Sequence, residues 1–167
     1  MRQCLALIIL ITTNALAVES HCSSQERTIF SCKVMNSSKV VSLCASQNLS
    51  TESGSLTYKF GKINRIELSH PNNSERSLEK FRYAHYVRYQ VDRKQISFTI
   101  GAYNYSILDY YEGEQKPSTY RGVLVVDTRV ENSEISLLCG PQAISDLTTL
   151  DGLVPCDEGN ALANCKP

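Results

Sequence analysis

The chain has 167 residues, with 17 Lys and Arg against 17 Asp and Glu and a formal net charge of zero. That length suits one ordinary domain, and the balanced charge gives no general electrostatic pull toward nucleic acid or anionic lipid. Seven cysteines, nine tyrosines and no tryptophan are the departures from average composition.

The N-terminus reads as a cleavable export signal. Arg2 supplies a positive start, Cys4 to Ile11 is an unbroken apolar run, and Ala15-Leu16-Ala17 is a small-x-small cleavage site. The run is shorter than the ~20 apolar residues that span a bilayer. Cleavage after Ala17 divides the chain into a signal peptide, residues 1–17, and a single domain, residues 18–167, with no membrane span in the mature chain. The expected location is periplasmic or secreted. Six cysteines then remain: Cys22, Cys32, Cys44, Cys139, Cys156 and Cys165. An even number in an oxidising compartment implies disulfides. Zinc-ligand spacing is lacking, so neither a metal nor a cofactor is expected. The short Gly- and Asn-containing loop favours the pairing Cys156–Cys165; the other connectivities are open.

The mature chain reads as short strands separated by turn signals. Thr28 to Val34 is the first, and Asn36-Ser37-Ser38 turns it into Lys39 to Cys44. Leu56 to Phe60 alternates apolar with polar, Gly61-Lys62 starts a turn, and Ile63 to Leu68 returns. Ser74 to Tyr83 is open between a short helix and a loop. Tyr86 to Val91 resumes the strand pattern, with a turn expected at Asp92-Arg93-Lys94. Gln95 to Ile100 follows, Gly101 marks a bend, and Tyr103 to Tyr111 is extended again. Glu112 to Ser118 reads as an exposed loop. Tyr120 to Asp127 and Ser133 to Cys139 complete the strands. After Pro141 one helical turn is expected at Ala143 to Leu147, followed by a loop-like tail. About nine strands at this spacing predict an all-β fold, an antiparallel sandwich or barrel tied by disulfides. The expected inner face carries Phe30, Val41, Leu43, Phe60, Ile66, Phe98, Ile100, Leu124 and Val126.

No catalytic motif is present. The chain lacks Gly-x-Ser-x-Gly, a phosphate-cradling glycine loop and His-Glu-x-x-His, so no catalytic residue is assigned. A hydrolase would have to use Asp109 or Glu112, which with Glu114 lie close together in sequence, or His85 beside the Tyr-rich segment. The aromatic distribution is more informative. Tyr83, Tyr86, Tyr89, Tyr103, Tyr105, Tyr110 and Tyr111 crowd the middle of the chain. Tyrosine combines a rigid apolar face with a polar tip, which suits protein interfaces; packing across strands is its other common use. Tyr103, Tyr105, Tyr110, Tyr111 and Glu112 are the candidate protein-binding residues. Asn36, Asn48, Asn72 and Asn104 each begin an Asn-x-Ser sequon, usable only where that glycosylation machinery exists.

The pattern Phe30-x-Cys32, Lys39 to Cys44, Tyr58-x-Phe60-Gly61 and Phe98-x-x-Gly101-x-Tyr103-x-Tyr105 resembles that of small exported β-rich proteins of Gram-negative bacteria. In plan the chain is similar to periplasmic lysozyme inhibitors and toxin-immunity proteins, and Gly101 to Ser106 looks like a stretch of the former. The resemblance implies a non-enzymatic binding protein whose partner is a protein, such as a cell-wall hydrolase or a toxin. A small cell-wall hydrolase and a structural envelope protein are the alternatives.

Overall fold

A computed structural model describes residues 18–165; the expected signal peptide, residues 1–17, lies outside the described residues. Nine strands form one antiparallel sheet: β1 (Glu26–Val34), β2 (Lys39–Ser46), β3 (Leu56–Lys62), β4 (Arg65–His70), β5 (Arg82–Arg88), β6 (Val91–Ile100), β7 (Tyr103–Glu112), β8 (Ser118–Asp127) and β9 (Glu134–Ser145). Their order is β4-β3-β2-β1-β9-β8-β7-β6-β5. Two meanders, β1 to β4 and β5 to β9, are therefore joined side by side where β1 pairs with β9.

The sheet curls into a half-barrel because the inner faces of the two meanders carry large apolar groups that only each other can bury. Tyr58 on β3 lies 4.9 Å, ring to ring, from Phe98 on β6, and His70 at the end of β4 stacks on the same Phe98 at 4.8 Å. Phe30, Leu43, Phe81, Ile96, Ile107 and Val123 fill the space between. Each such side chain, fully buried, contributes ~1.5–3 kcal/mol. The short 3-10 turns Ser77–Lys80 and Leu147–Leu150 plug this interior with Leu78, Leu147 and Leu150.

The outer face of β1 and β2 is also covered. Ser31 and Ser42 are fully buried there, their hydroxyls 2.9 Å apart. The segment entering β1 satisfies them: Ser31 Oγ donates to the Glu19 carbonyl, and the His21 backbone N–H donates to Ser42 Oγ. The bridge Cys22–Cys44 fastens this segment to β2. Cys32–Cys139 spans the β1–β9 junction and Cys156–Cys165 closes a loop in the tail, so all six cysteines among the described residues are paired.

Three local expectations are corrected. The turn after β5 falls at Tyr89-Gln90, not at Asp92-Arg93-Lys94, which lie inside β6. Gln90 adopts a positive φ, and Asp92 and Lys94 pair with each other across the inner face. β9 runs through Pro141 to Ser145 where a helical turn was expected. Pro141 is tolerated because it sits at a register shift opposite Lys33, away from the regular ladder. The inner-face assignment also changes. Ile66 is 48% exposed, because a bulge at Phe60/Gly61 turns Leu68 inward instead. On β8, Val123 and Val125 face the core, and Leu124 and Val126 take the opposite face by strict alternation.

Candidate functional site

The strand registers of β5 to β8 stack inner-face residues into rows. Tyr83, Ile96, Ile107 and Val123 form an apolar row belonging to the core. Two residues further along each strand the row is His85, Lys94, Asp109 and Arg121, and two further it is Val87, Asp92, Tyr111 and Thr119. The concave face thus changes from apolar to charged within one pleat, toward the end of the sheet where β5 turns into β6.

The charges are paired. Asp109 is buried, with Arg121 Nε donating to Oδ1 at 2.7 Å and Ser145 Oγ donating to Oδ2 at 2.6 Å. Asp92 receives His85 Nε2 at 2.8 Å on one oxygen and Lys94 Nζ on the other. Burial works against ionisation of Asp92, but the hydrogen bonds from Lys94 and His85 outweigh it and hold its carboxyl below the usual range.

Beside this face lies the C-terminal tail. Leu153 and Val154 follow the turn Leu147–Leu150, and the tail then runs along the free edge of β5. Tyr83 N–H donates to the Pro155 carbonyl at 2.9 Å, and Asp157 N–H donates to the Tyr83 carbonyl at 2.8 Å. A cavity of ≈ 790 Å³ remains between β5 and the tail, lined by Tyr83, His85, Val87, Asp151, Leu153 and Asn164 among others. That volume falls within the range of ligand sites. Tyr83 is 4% exposed, and its hydroxyl has no hydrogen-bond partner among the described residues. Burial, then the carboxylates of Asp151 and Asp92, push that hydroxyl well above the usual tyrosine range.

The residues singled out from the sequence do not form one patch. Tyr103 lies at the far end of β7, its hydroxyl accepting from Arg129 Nη2 and its ring under that guanidinium. It is ~24 Å from Tyr110 at ~3.4 Å per strand residue. Tyr105 stacks on Phe98 with ring centroids 5.0 Å apart and belongs to the core margin. Tyr110 faces the outer surface, donates to Gln95 Oε1 at 2.9 Å, and is pushed up to about 12, chiefly by burial. Glu112, on that same outer face, is paired with Arg93. Tyr111 alone of the five faces the concave end, and it is 41% exposed. Asp109 and Glu112 occupy opposite faces of β7, so they do not flank a common substrate. His85 and Asp92 are brought together, but no Ser, Thr or Cys hydroxyl or thiol is hydrogen-bonded to the imidazole among the described residues.

Sequence reasoning missed Val87 and Tyr89. Val87 is 60% exposed and Tyr89, at the tip of the β5–β6 hairpin, is 84% exposed. The Arg88–Glu114 and Arg93–Glu112 ion pairs flank them. The signal was the β-rich run ending in Tyr89-Gln90, hidden by placing the turn three residues too late. Among the described residues no group of three His, Cys, Asp or Glu side chains gathers to hold a metal, and no helix is long and apolar enough to cross a membrane. Compared with known proteins, the chain matches no family model, no curated sequence and no solved structure.

Proposed function

We propose that this protein is an exported, non-catalytic binding domain that inhibits, or confers immunity against, an extracytoplasmic cell-wall-degrading enzyme. The observation that carries the reading is the exposure of Val87, Tyr89 and Tyr111 at one end of a sheet whose β1–β9 junction is tied by a disulfide. An aromatic anchor has few rotatable bonds and so loses little conformational entropy on binding, and its polar tip tolerates solvent in the free protein. Three disulfides fit an oxidising compartment, in line with export through residues 1–17.

The test is capture from periplasmic and secreted extracts on immobilised protein, followed by an activity assay of the captured enzyme. Recovery of a cell-wall hydrolase that is inhibited by the protein, both lost in a Tyr89→Ala/Tyr111→Ala variant, supports the reading. A second reading, a small cell-wall hydrolase, is favoured by the contact of Asp92 with His85, which lines the cavity. Peptidoglycan turnover by the pure protein, abolished in His85→Ala, would replace the first reading with the second.

A further inference from the structure

The β5 edge is only partly covered. In an antiparallel ladder, successive residues alternate between bonding to the neighbouring strand and pointing their N–H and C=O away from it. Tyr83 gives both groups to the tail. By the same two-residue alternation, the backbone groups of His85 and Val87 also point away from β6. No backbone hydrogen bond from outside the β5–β6 ladder reaches either residue among the described residues. Both residues line the ≈ 790 Å³ cavity beside the tail.

Natural sheets block such edges with charge, proline, bulges or a covering segment. The other edge of this sheet, β4, carries Arg65 and Glu67, both exposed. β5 has a covering segment, but it stops at the single parallel bridge between Tyr83 and Cys156, after which the chain turns away through Asp157–Asn160. The uncovered stretch is thus continuous with a strand-pairing mode the molecule already uses. One further group in the cavity lacks a partner among the described residues: Asp151, an exposed carboxylate with no ion pair. An ammonium or guanidinium group placed there would donate to it.

We infer that the β5 edge at His85 and Val87 is a docking site for an extended peptide segment of a partner protein, which adds to the sheet as a strand and directs a basic side chain to Asp151. Backbone hydrogen bonds supply the docking geometry, and the cavity selects the side chain. The inference rests on the reading of this end of the sheet as a binding surface and names the chemistry of what it takes.

The test is selection of the pure mature protein against a displayed library of random linear heptapeptides. Extended sequences carrying Lys or Arg should be enriched, and the amides of His85 and Val87 should gain hydrogen-exchange protection on binding a synthetic enriched peptide. Val87→Pro removes the outward N–H and leaves the bonds to β6 intact, so it should weaken binding about tenfold or more. Val87→Thr keeps the N–H and should bind as the parent does, and Asp151→Asn should reduce the preference for basic peptides. An absence of enriched peptides would overturn the inference, as would equal binding by a folded Val87→Pro protein. Either result leaves hydrolase capture through Tyr89 and Tyr111 standing, so the two failures are distinguishable.

Discussion

Cys32 on β1 and Cys139 on β9 are 107 residues apart in the chain, and their Cα atoms lie 5.5 Å apart across the ladder that joins the two meanders. The bridge fixes the register of the junction on which the whole curl depends. Bonds of this kind stabilise in proportion to the logarithm of the loop they close.

Replacing both residues, Cys32→Ser/Cys139→Ser, should therefore cost the most of the three bridges, ~5 kcal/mol in the chain-entropy model, against ~3 kcal/mol for Cys156→Ser/Cys165→Ser. Denaturant unfolding of the two variants checks the order. Thiol titration of the denatured, non-reduced mature protein should find none of the six cysteines free.

The bulge at Gly61 makes a second prediction. A Cβ there would lie 2.3 Å from the Arg65 carbonyl oxygen and 2.7 Å from the Glu67 nitrogen, both rigid backbone. Gly61→Ala should destabilise by more than ~1 kcal/mol. Leu68→Ala should cost ~2 kcal/mol and Ile66→Ala less than ~0.5 kcal/mol, because the bulge turns only Leu68 inward. Equal losses at the two positions, measured by denaturant unfolding, would show that the register shift is absent.

Asp109 is expected to be structural. Asp109→Ala leaves the half-buried Arg121 guanidinium without its carboxylate and Ser145 without its acceptor. The loss should be ~2–4 kcal/mol. Thermal unfolding measures it; an unchanged melting temperature would contradict the pairing.

His70 sets a pH dependence. Its pKa lies below the usual histidine range, because burial disfavours the charged ring, with a backbone contact to Lys80 opposing that effect and the Lys80 charge adding to it. The unfolded chain thus takes up the proton more readily than the folded one. This contribution to stability is intact above the unfolded value of about 6.5 and is lost as pH falls from there through the lowered folded value. Unfolding free energy measured between neutral and mildly acidic pH should decline accordingly, and His70→Phe should flatten the decline.

Much of the architecture was legible because it rests on period-2 alternation and turn chemistry. Thr28 to Val34, Lys39 to Cys44 and Tyr103 to Tyr111 are strands because β-branched and aromatic residues alternate between Asn-, Ser- and Gly-rich breaks. The site was much less legible. Tyr105 and Tyr110, five residues apart, face opposite sides of the sheet, and only pairing partners reveal which side is core. The turn at Tyr89-Gln90 lacks glycine and proline, so the charged stretch after it drew the expectation instead.

By itself the sequence determined an all-β fold of about nine strands, and its short loop favoured the closure of Cys156 with Cys165, because both rest on local patterns. Tertiary structure alone decided the β1–β9 junction, the pairings Cys22–Cys44 and Cys32–Cys139, and the convergence of His85 and Asp151 around one cavity. The physical reason is that the curl is driven by burial of Tyr58 against Phe98 and its neighbours. Hydrophobic attraction of that kind is non-directional, so it leaves no spacing in the chain to announce which distant strands it will bring together.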